Sequence, residues 1–326
     1  MNVPEVSIII PAYNVEKYIG RTLEKVLYQT FQNFEVLIVN DGSTDRTEAI
    51  IRSYLSDPRF KLISQENHGV SYARNIGMEL AVGKFICFLD GDDYWDHRFL
   101  ELMYSKIKET GTDICYTGFY ETRGKEIIND WKYEWVEAQI LMDFLIRKTC
   151  LWIGAVMFNL WFLKQNKIKF ALGCAVGEDQ EFIIRALTLG KAVAVKANLV
   201  YKTIRPESAS EWFNARHLDF YYALVRASHF VKENLGDRKD ILDELEHHKI
   251  PLVLLSFLFK ANSYGEREIV KKLLEDQDAR NYLENFHHRS FKELLDFHLR
   301  FIGVRKPMLF LPIAKILGVL KRARLL

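Results

Sequence analysis

The stretch "KFICFLDGDDYWD", Lys84 to Asp96, runs an apolar segment straight into Asp90, Asp92 and Asp93. Carboxylates crowded together repel one another, so the chain must have a use for them there. An Asp-x-Asp pair at a strand end can hold a hard divalent cation and leave coordination positions open. Mg²⁺ or Mn²⁺ held by Asp90 and Asp92 can act as a Lewis acid and neutralise a diphosphate leaving group. Gly91 between them lets another group approach the backbone closely. An acidic turn capping a helix that begins near Asp96 reads the same residues, because Asp and Gly are common in turns.

Three familiar motifs do not fit. A dinucleotide fold wants a glycine-rich turn after the first strand, where this chain has Pro11-Ala12-Tyr13-Asn14. In "GMELAVGKF" the glycines are one residue too far apart for a phosphate-binding loop, and Phe85 stands where a hydroxyl is required. Counted from Asp90, a calcium-binding loop would place Tyr94 and Trp95 where an oxygen ligand and a glycine belong.

Something must position these acids. "VSIIIPA", "FEVLIVN", "KLISQ", "KFICFL" and "DICYTGF" read as buried strands. Between them lie helices marked by Val15, Ile19, Leu23 and Val26, by Ile50, Ile51 and Leu55, by Val70, Ala73, Ile76 and Leu80, and by Phe99, Leu100, Met103 and Ile107. The fold class is α/β: a mainly parallel sheet with helices on both faces. Ligands of such sheets bind beyond the carboxyl ends of the strands, here "PAYN", "NDGSTD", "QENHG" and "DGDD". Residues 130–190 read as aromatic and irregular, with helices near 137–148 and 179–189, and then "VAV" and "NLVYKTI" as short strands. From about Asn214 everything reads as helix. The expected division is therefore 1–213, with a nucleotide half to about residue 120 and an acceptor half over 121–213, followed by a C-terminal helical extension over 214–326.

The 326 residues are 49% hydrophobic, enough for a sizeable core, and a net charge of +2 gives no field that would draw nucleic acid. Four cysteines without a CxxC pair read as reduced thiols of a cytoplasmic protein. "MNVPEVSIII" lacks the pattern of a signal peptide. In the tail, "PMLFLPIAKILGVLKRARLL", Pro312 and Lys315 interrupt an apolar run too short for a span of ~20 residues. Its basic, amphipathic character suits peripheral contact with the cytoplasmic face of an inner membrane; a terminal helix packed on its own domain reads equally well.

The segments "VSIIIPAYNVEKYIGRTLEKVLYQTFQNFEVLIVNDGSTDRT", "NHGVSYARNIGMELAVGKFICFLDGDD" and "GEDQEF" together resemble the family 2 glycosyltransferases of GT-A fold, in the family's order, over roughly residues 5–210. The resemblance implies an inverting enzyme that moves a sugar from a UDP-sugar to a hydroxyl of a glycan or lipid-linked glycan and forms a β-linkage. It points to bacterial lipopolysaccharide core, O-antigen or capsule assembly. It places Tyr13 against uracil with Pro11 and Ala12 shaping the pocket, and gives Asp41 a hydrogen bond to the base. Asn67, Gly69 and Arg74 fall near the nucleotide and sugar. Asp90 reaches the ribose or sugar, and Asp92 holds Mn²⁺ or Mg²⁺ and the diphosphate. An acceptor hydroxyl must lose its proton as it attacks, and a carboxylate within reach can take it. The family puts that base at Asp179; Glu178 would support it or contact the acceptor, and Gln180 beside them is a candidate acceptor contact. The same acids also suit the first turn of a helix. Arg205, Ser208 and Ser210 match a loop that folds over the diphosphate, although Tyr201 and Lys202 stand where many members carry a histidine. Trp152 is offered as an acceptor contact, against the commoner role of core packing. Two rivals stand beside the transferase: a non-catalytic nucleotide-sugar- or glycan-binding subunit, against which the intact "GEDQ" speaks, and a two-acid hydrolase.

Overall fold

The computed structural model describes residues 3–130, 134–136, 138–205, 214–306, 313–314 and 317. It divides into two compact units, Met1–Ser208 and Ala209–Leu326, where the sequence put the change of character near residue 213.

The first unit alternates strand and helix: β1 (Val6–Ala12), α1 (Ile19–Leu27), β2 (Phe34–Asp41), α2 (Thr47–Arg52), β3 (Phe60–Gln65), α3 (Val70–Leu80) and β4 (Phe85–Phe88). There follow β5 (Tyr94–Trp95), α4 (Phe99–Thr110), β6 (Ile114–Arg123), β7 (Glu126–Asp130), α5 (Ile140–Leu145), β8 (Val156–Asn159), α6 (Leu160–Gln165), α7 (Glu178–Leu189) and β9 (Ala192–Thr203). β1 and β2 are buried along their whole length, which is why both read as unbroken apolar runs.

The sheet order is β3-β2-β1-β4-β8-β6-β9-β5, with β7 paired to β6. β1 to β4 are parallel to one another, as the alternation predicts. Beyond β4 the sheet is mixed. β8 lies antiparallel between β4 and β6, and β5 lies antiparallel on β9. β8 comes from the stretch read as irregular: its four residues sit between a 3-10 turn and a helix, so no alternation of its own betrays it. "VAV" and "NLVYKTI" prove to be one bulged strand, β9, whose register slips opposite Gly118 on β6. Close packing fixes some glycines. A Cβ on Gly77 of α3 would sit 2.3 Å from Ile9 Cγ2 on β1.

The second unit is helical: α8 (Asp219–Asn234), α9 (Lys239–Asp243), a π-helical turn over Glu244–Lys249, α10 (Ile250–Ser263), α11 (Arg267–Glu275), α12 (Gln277–Glu284) and α13 (Phe291–Arg305). Leu245, Ile250, Leu254 and Leu258 supply much of its core. Among the described residues no helix is long and apolar enough to cross a membrane. The basic tail expected to meet a membrane lies mostly outside the described residues.

Candidate active site

The acidic turn follows β4, at the carboxyl end of the parallel strands. Its carbonyls are held from two sides. Thr22 on α1 donates its hydroxyl to Gly91 O at 3.1 Å and to Asp93 O at 2.7 Å. Arg21 Nη2 donates to Asp92 O at 2.9 Å, and so does Thr203 Oγ1 of β9 at 2.7 Å. Gly91 admits a close approach, but the approaching groups are the protein's own: an added Cβ would meet Val15 Cγ2 at 3.1 Å and Pro11 O at 3.2 Å. Asp90, Asp92 and Asp93 do not cap α4: its N-cap residue is Arg98, and the Leu100 amide of its first turn donates instead to Gln29 Oε1 at 3.0 Å. Asp93 is turned inward, 2% exposed, and accepts from the Thr203 amide. Burial and the charges of Asp92 and Asp90 raise its pKa well above the usual carboxylate range.

That leaves Asp90 and Asp92. Asp90 Oδ1 meets Arg74 Nη2 at 2.7 Å, and Asp92 Oδ2 meets Arg205 Nε at 2.7 Å. Burial, then the neighbouring Asp90 charge, pushes Asp92 up to about 6, against the pull of Arg205 and Arg21.

Arg74 joins the two acidic motifs. It projects from α3, is 3% exposed, and its other amino group, Nη1, meets Glu178 Oε1 at 3.0 Å. It is a buried fork between "DGD" and "GED", not the exposed ion pair that a helix-face arginine often makes. Burial opposes its charge, but Asp90, Glu178 and Asp179 hold it firmly protonated. Glu178, Asp179 and Glu181 form the first turn of α7, where carboxylates oppose the positive helix end. Asp179 Oδ1 accepts from the Gln180 amide at 2.8 Å. Burial, then the Asp179 charge, pushes Glu178 up to about 7, and burial also raises Asp179.

The loops after β1 and β2 are knitted together: the Thr44 amide donates to Asn14 Oδ1 at 2.8 Å and the Glu16 amide to Asp45 Oδ2 at 3.1 Å. Tyr13 stands on this rim, 49% exposed, above buried Pro11 and Ala12. It is a free aromatic face, not core. Asp41 differs from expectation. It is 3% exposed, and its carboxylate accepts from Gln65 Nε2 at 2.7 Å and from the amides of His68 and Gly69 at 2.9 and 2.8 Å. Its oxygens hold the loop that carries Asn67 and lets Gly69, at φ +89°, open α3. Asn67 itself is exposed.

The profile of glycosyl transferase family 2 matches residues 7–175. The chain belongs to glycosyltransferase family 2. The putative glycosyltransferase EpsH of Bacillus subtilis is 30% identical over 84% of this chain and 82% of its own length. Glycosyltransferase GlyA of Streptococcus pneumoniae is 38% identical over 68% of this chain, but this chain spans only 33% of GlyA. Among solved structures, TarS 1-349 of Staphylococcus aureus in complex with UDP-GlcNAc superposes with a TM-score of 0.65 over 87% of this chain and 93% of that one, at 21% identity. That likeness shows the fold, GT-A.

Within this family 2 site several expected residues take other parts. Trp152 is 9% exposed, packed on Gly154 and on Phe119 at 5.8 Å, so it offers little face to an acceptor sugar. Lys202 lies over its ring at 5.6 Å. Gln180 is half-buried beside Asp179. Ser208 and Ser210 lie outside the described residues. Arg21, Thr22 and Thr203 were not legible as site residues, since they look like ordinary surface-helix and strand positions; only packing brings them to the turn. Among the described residues no group of three or more His, Cys, Asp or Glu side chains is placed to hold a metal ion. Asp92, desolvated and repelled by the half-buried Asp90, suits a hard cation with Asp90 only as part of a shell that the ligand's own oxygens would complete.

Proposed function

We propose that this protein is an inverting glycosyltransferase that moves a sugar from a UDP-sugar to a hydroxyl of a growing surface glycan. The observation that carries the reading is the Arg74 fork, which brings a donor-type acidic turn and a carboxylate pair at a helix start into one site. The UDP-GlcNAc complex of TarS favours a UDP-linked donor, and poly(ribitol-phosphate) beta-N-acetylglucosaminyltransferase TarP of S. aureus, 30% identical over 60% of this chain, favours transfer of a sugar to a polymer.

Tyr13 would lie along the uracil, with Pro11 and Ala12 beneath it. Asp41 would act at one remove, by holding the Asn67–Gly69 loop against the nucleotide. Asp90 and Asp92 would hold Mn²⁺ or Mg²⁺, which when bound supplies positive charge to the diphosphate. Arg205, one-third exposed at 32%, would turn from Asp92 to the same diphosphate. Asp179 would take the acceptor proton as the hydroxyl oxygen bonds to the anomeric carbon and the sugar–diphosphate bond breaks, releasing UDP. Attack from the face opposite the leaving group inverts the anomeric centre and gives a β-link from an α-donor.

The test is a UDP-sugar screen with Mn²⁺, with and without glycan acceptors. UDP release that depends on acceptor supports the transferase; release independent of acceptor indicates a hydrolase. Binding with no turnover under any condition indicates a binding subunit. Asp92→Asn should remove nearly all transfer and the dependence of donor binding on Mn²⁺, and undiminished wild-type activity in excess chelator would contradict the metal role.

A further inference from the structure

The helical unit contains a cleft of about 550 Å³, within the usual size range of small-molecule sites. α8, the π-helical turn, α11 and α12 form its walls, and none of the donor or acid motifs belongs to it. Three tyrosines line it. Tyr221 is 4% exposed and meets Tyr282 edge-on at 6.2 Å; Tyr222 lies 5.0 Å from Tyr221 and is 44% exposed. Burial raises all three phenols, Tyr282 to about 12, so they present neutral hydroxyls and apolar ring faces.

Polar groups line the cleft beside the rings, several of them on α12, the helix that carries Tyr282. Asp276 Oδ1 caps α12 through the Ala279 amide at 2.8 Å, and Asp278, Asn281 and Asn285 follow along the same helix. Glu246 accepts from Ser228 at 2.7 Å, and His247 Nδ1 sits 3.0 Å from Asn285 O. Glu246 and His247 are consecutive, yet both reach the cleft, and they do so from the π-helical turn. Such turns are rare, and they recur at functional sites because the widened backbone re-aims side chains.

The balance of charge narrows the ligand. Three carboxylates, Glu246, Asp276 and Asp278, line the cleft with one lysine, Lys232, so an anionic polymer would be repelled. Apolar ring faces beside carboxylates and amides instead match a pyranose, which has C–H faces and an equatorial rim of hydroxyls. We propose that this cleft binds a short stretch of a neutral saccharide chain. That the chain is the enzyme's own glycan acceptor rests on the glycosyltransferase reading above; saccharide binding itself does not. A chain held here would raise the effective concentration of acceptor for repeated encounters.

The experiment uses the full-length protein without UDP-sugar, screened on an array of neutral oligosaccharides with sulfated oligosaccharides as anionic comparators. Hits are then titrated by calorimetry and by saturation-transfer NMR. Neutral chains should bind, Tyr222→Ala should weaken them about three- to tenfold, and Tyr222→Trp should retain them. Asn281→Ala should weaken them too. Tyr222 is half exposed, so these variants should keep wild-type circular dichroism and UDP-sugar affinity. Absence of any neutral ligand, a preference for the sulfated chains, or binding unchanged in Tyr222→Ala would overturn the proposal. Failure of the wild type to turn over any UDP-sugar would instead count against the transferase, with the saccharide titration still read on its own.

Discussion

Arg74 is the residue on which both halves of the site converge, and its burial makes it irreplaceable by a point charge. A lysine cannot reach two carboxylates in a planar fork. Arg74→Met should cost about 3–5 kcal/mol in urea denaturation, because it strands Glu178 and Asp90 without their partner. Glu178 adds a pH signature. Its folded pKa, about 7, lies above its ordinary value of 4.5. Between those values the folded chain keeps a proton that the unfolded chain has released, so this group's contribution to stability falls as pH rises across that window. The loss in Arg74→Met should therefore be smaller in acid than at pH above 7. Asp179→Asn should lower kcat by about 10²–10⁴-fold and leave donor affinity nearly unchanged. Because burial raises Asp179, wild-type kcat should fall on acidification around a midpoint above the ordinary aspartate value of about 3.9, and that limb should be missing in the variant. If Glu178→Gln is the more damaging of the two, the base has been assigned to the wrong carboxylate.

Elements matter here for what they hold in place. α1 and the end of β9 grip the acidic turn by its carbonyls, so the turn's geometry depends on segments over a hundred residues apart. α3 must lie close on β1 to carry Arg74 into the site, and Gly77 permits it. Gly77→Ala should cost about 1–3 kcal/mol, because Ile9 has to yield, and should reduce transfer as α3 shifts. At the other end of the strands, buried Glu35 accepts from Ser7 Oγ at 2.7 Å and from the Val82 amide at 3.0 Å, and pairs with Lys61 at 2.9 Å. Burial opposes its charge, but these partners prevail and hold its pKa below 4.5. Glu35→Ala should lower stability by about 1–3 kcal/mol while leaving donor affinity intact, measurable by thermal melting beside a UDP-sugar titration.

At the scale of the whole chain, the α/β unit carries all the residues proposed for sugar transfer, and the helical unit adds the tyrosine-lined cleft. The basic tail carries a separate expectation. Ile313 and Leu317 of the tail are buried, so the test changes its charge and not its length: replacing Lys321, Arg322 and Arg324 with glutamine should release the protein from anionic vesicles and leave both units folded, and unchanged vesicle binding would make the tail a structural helix only.

The sequence by itself determined the strand–helix alternation through Leu80, the loops at the carboxyl strand ends and the acids of "DGDD" and "GEDQ". These are local patterns: a doubly buried strand must be apolar throughout, and a ligand loop must be polar wherever the chain folds. Only tertiary structure decided that Asp93 turns inward, that Asp41 serves a neighbouring loop and that Trp152 is core. The same holds for the insertion of β8 and for the meeting of Arg74 with Glu178, 104 residues away. Each depends on which side of the backbone a group finds its partner, and that is set by packing between distant segments, which composition and spacing do not encode.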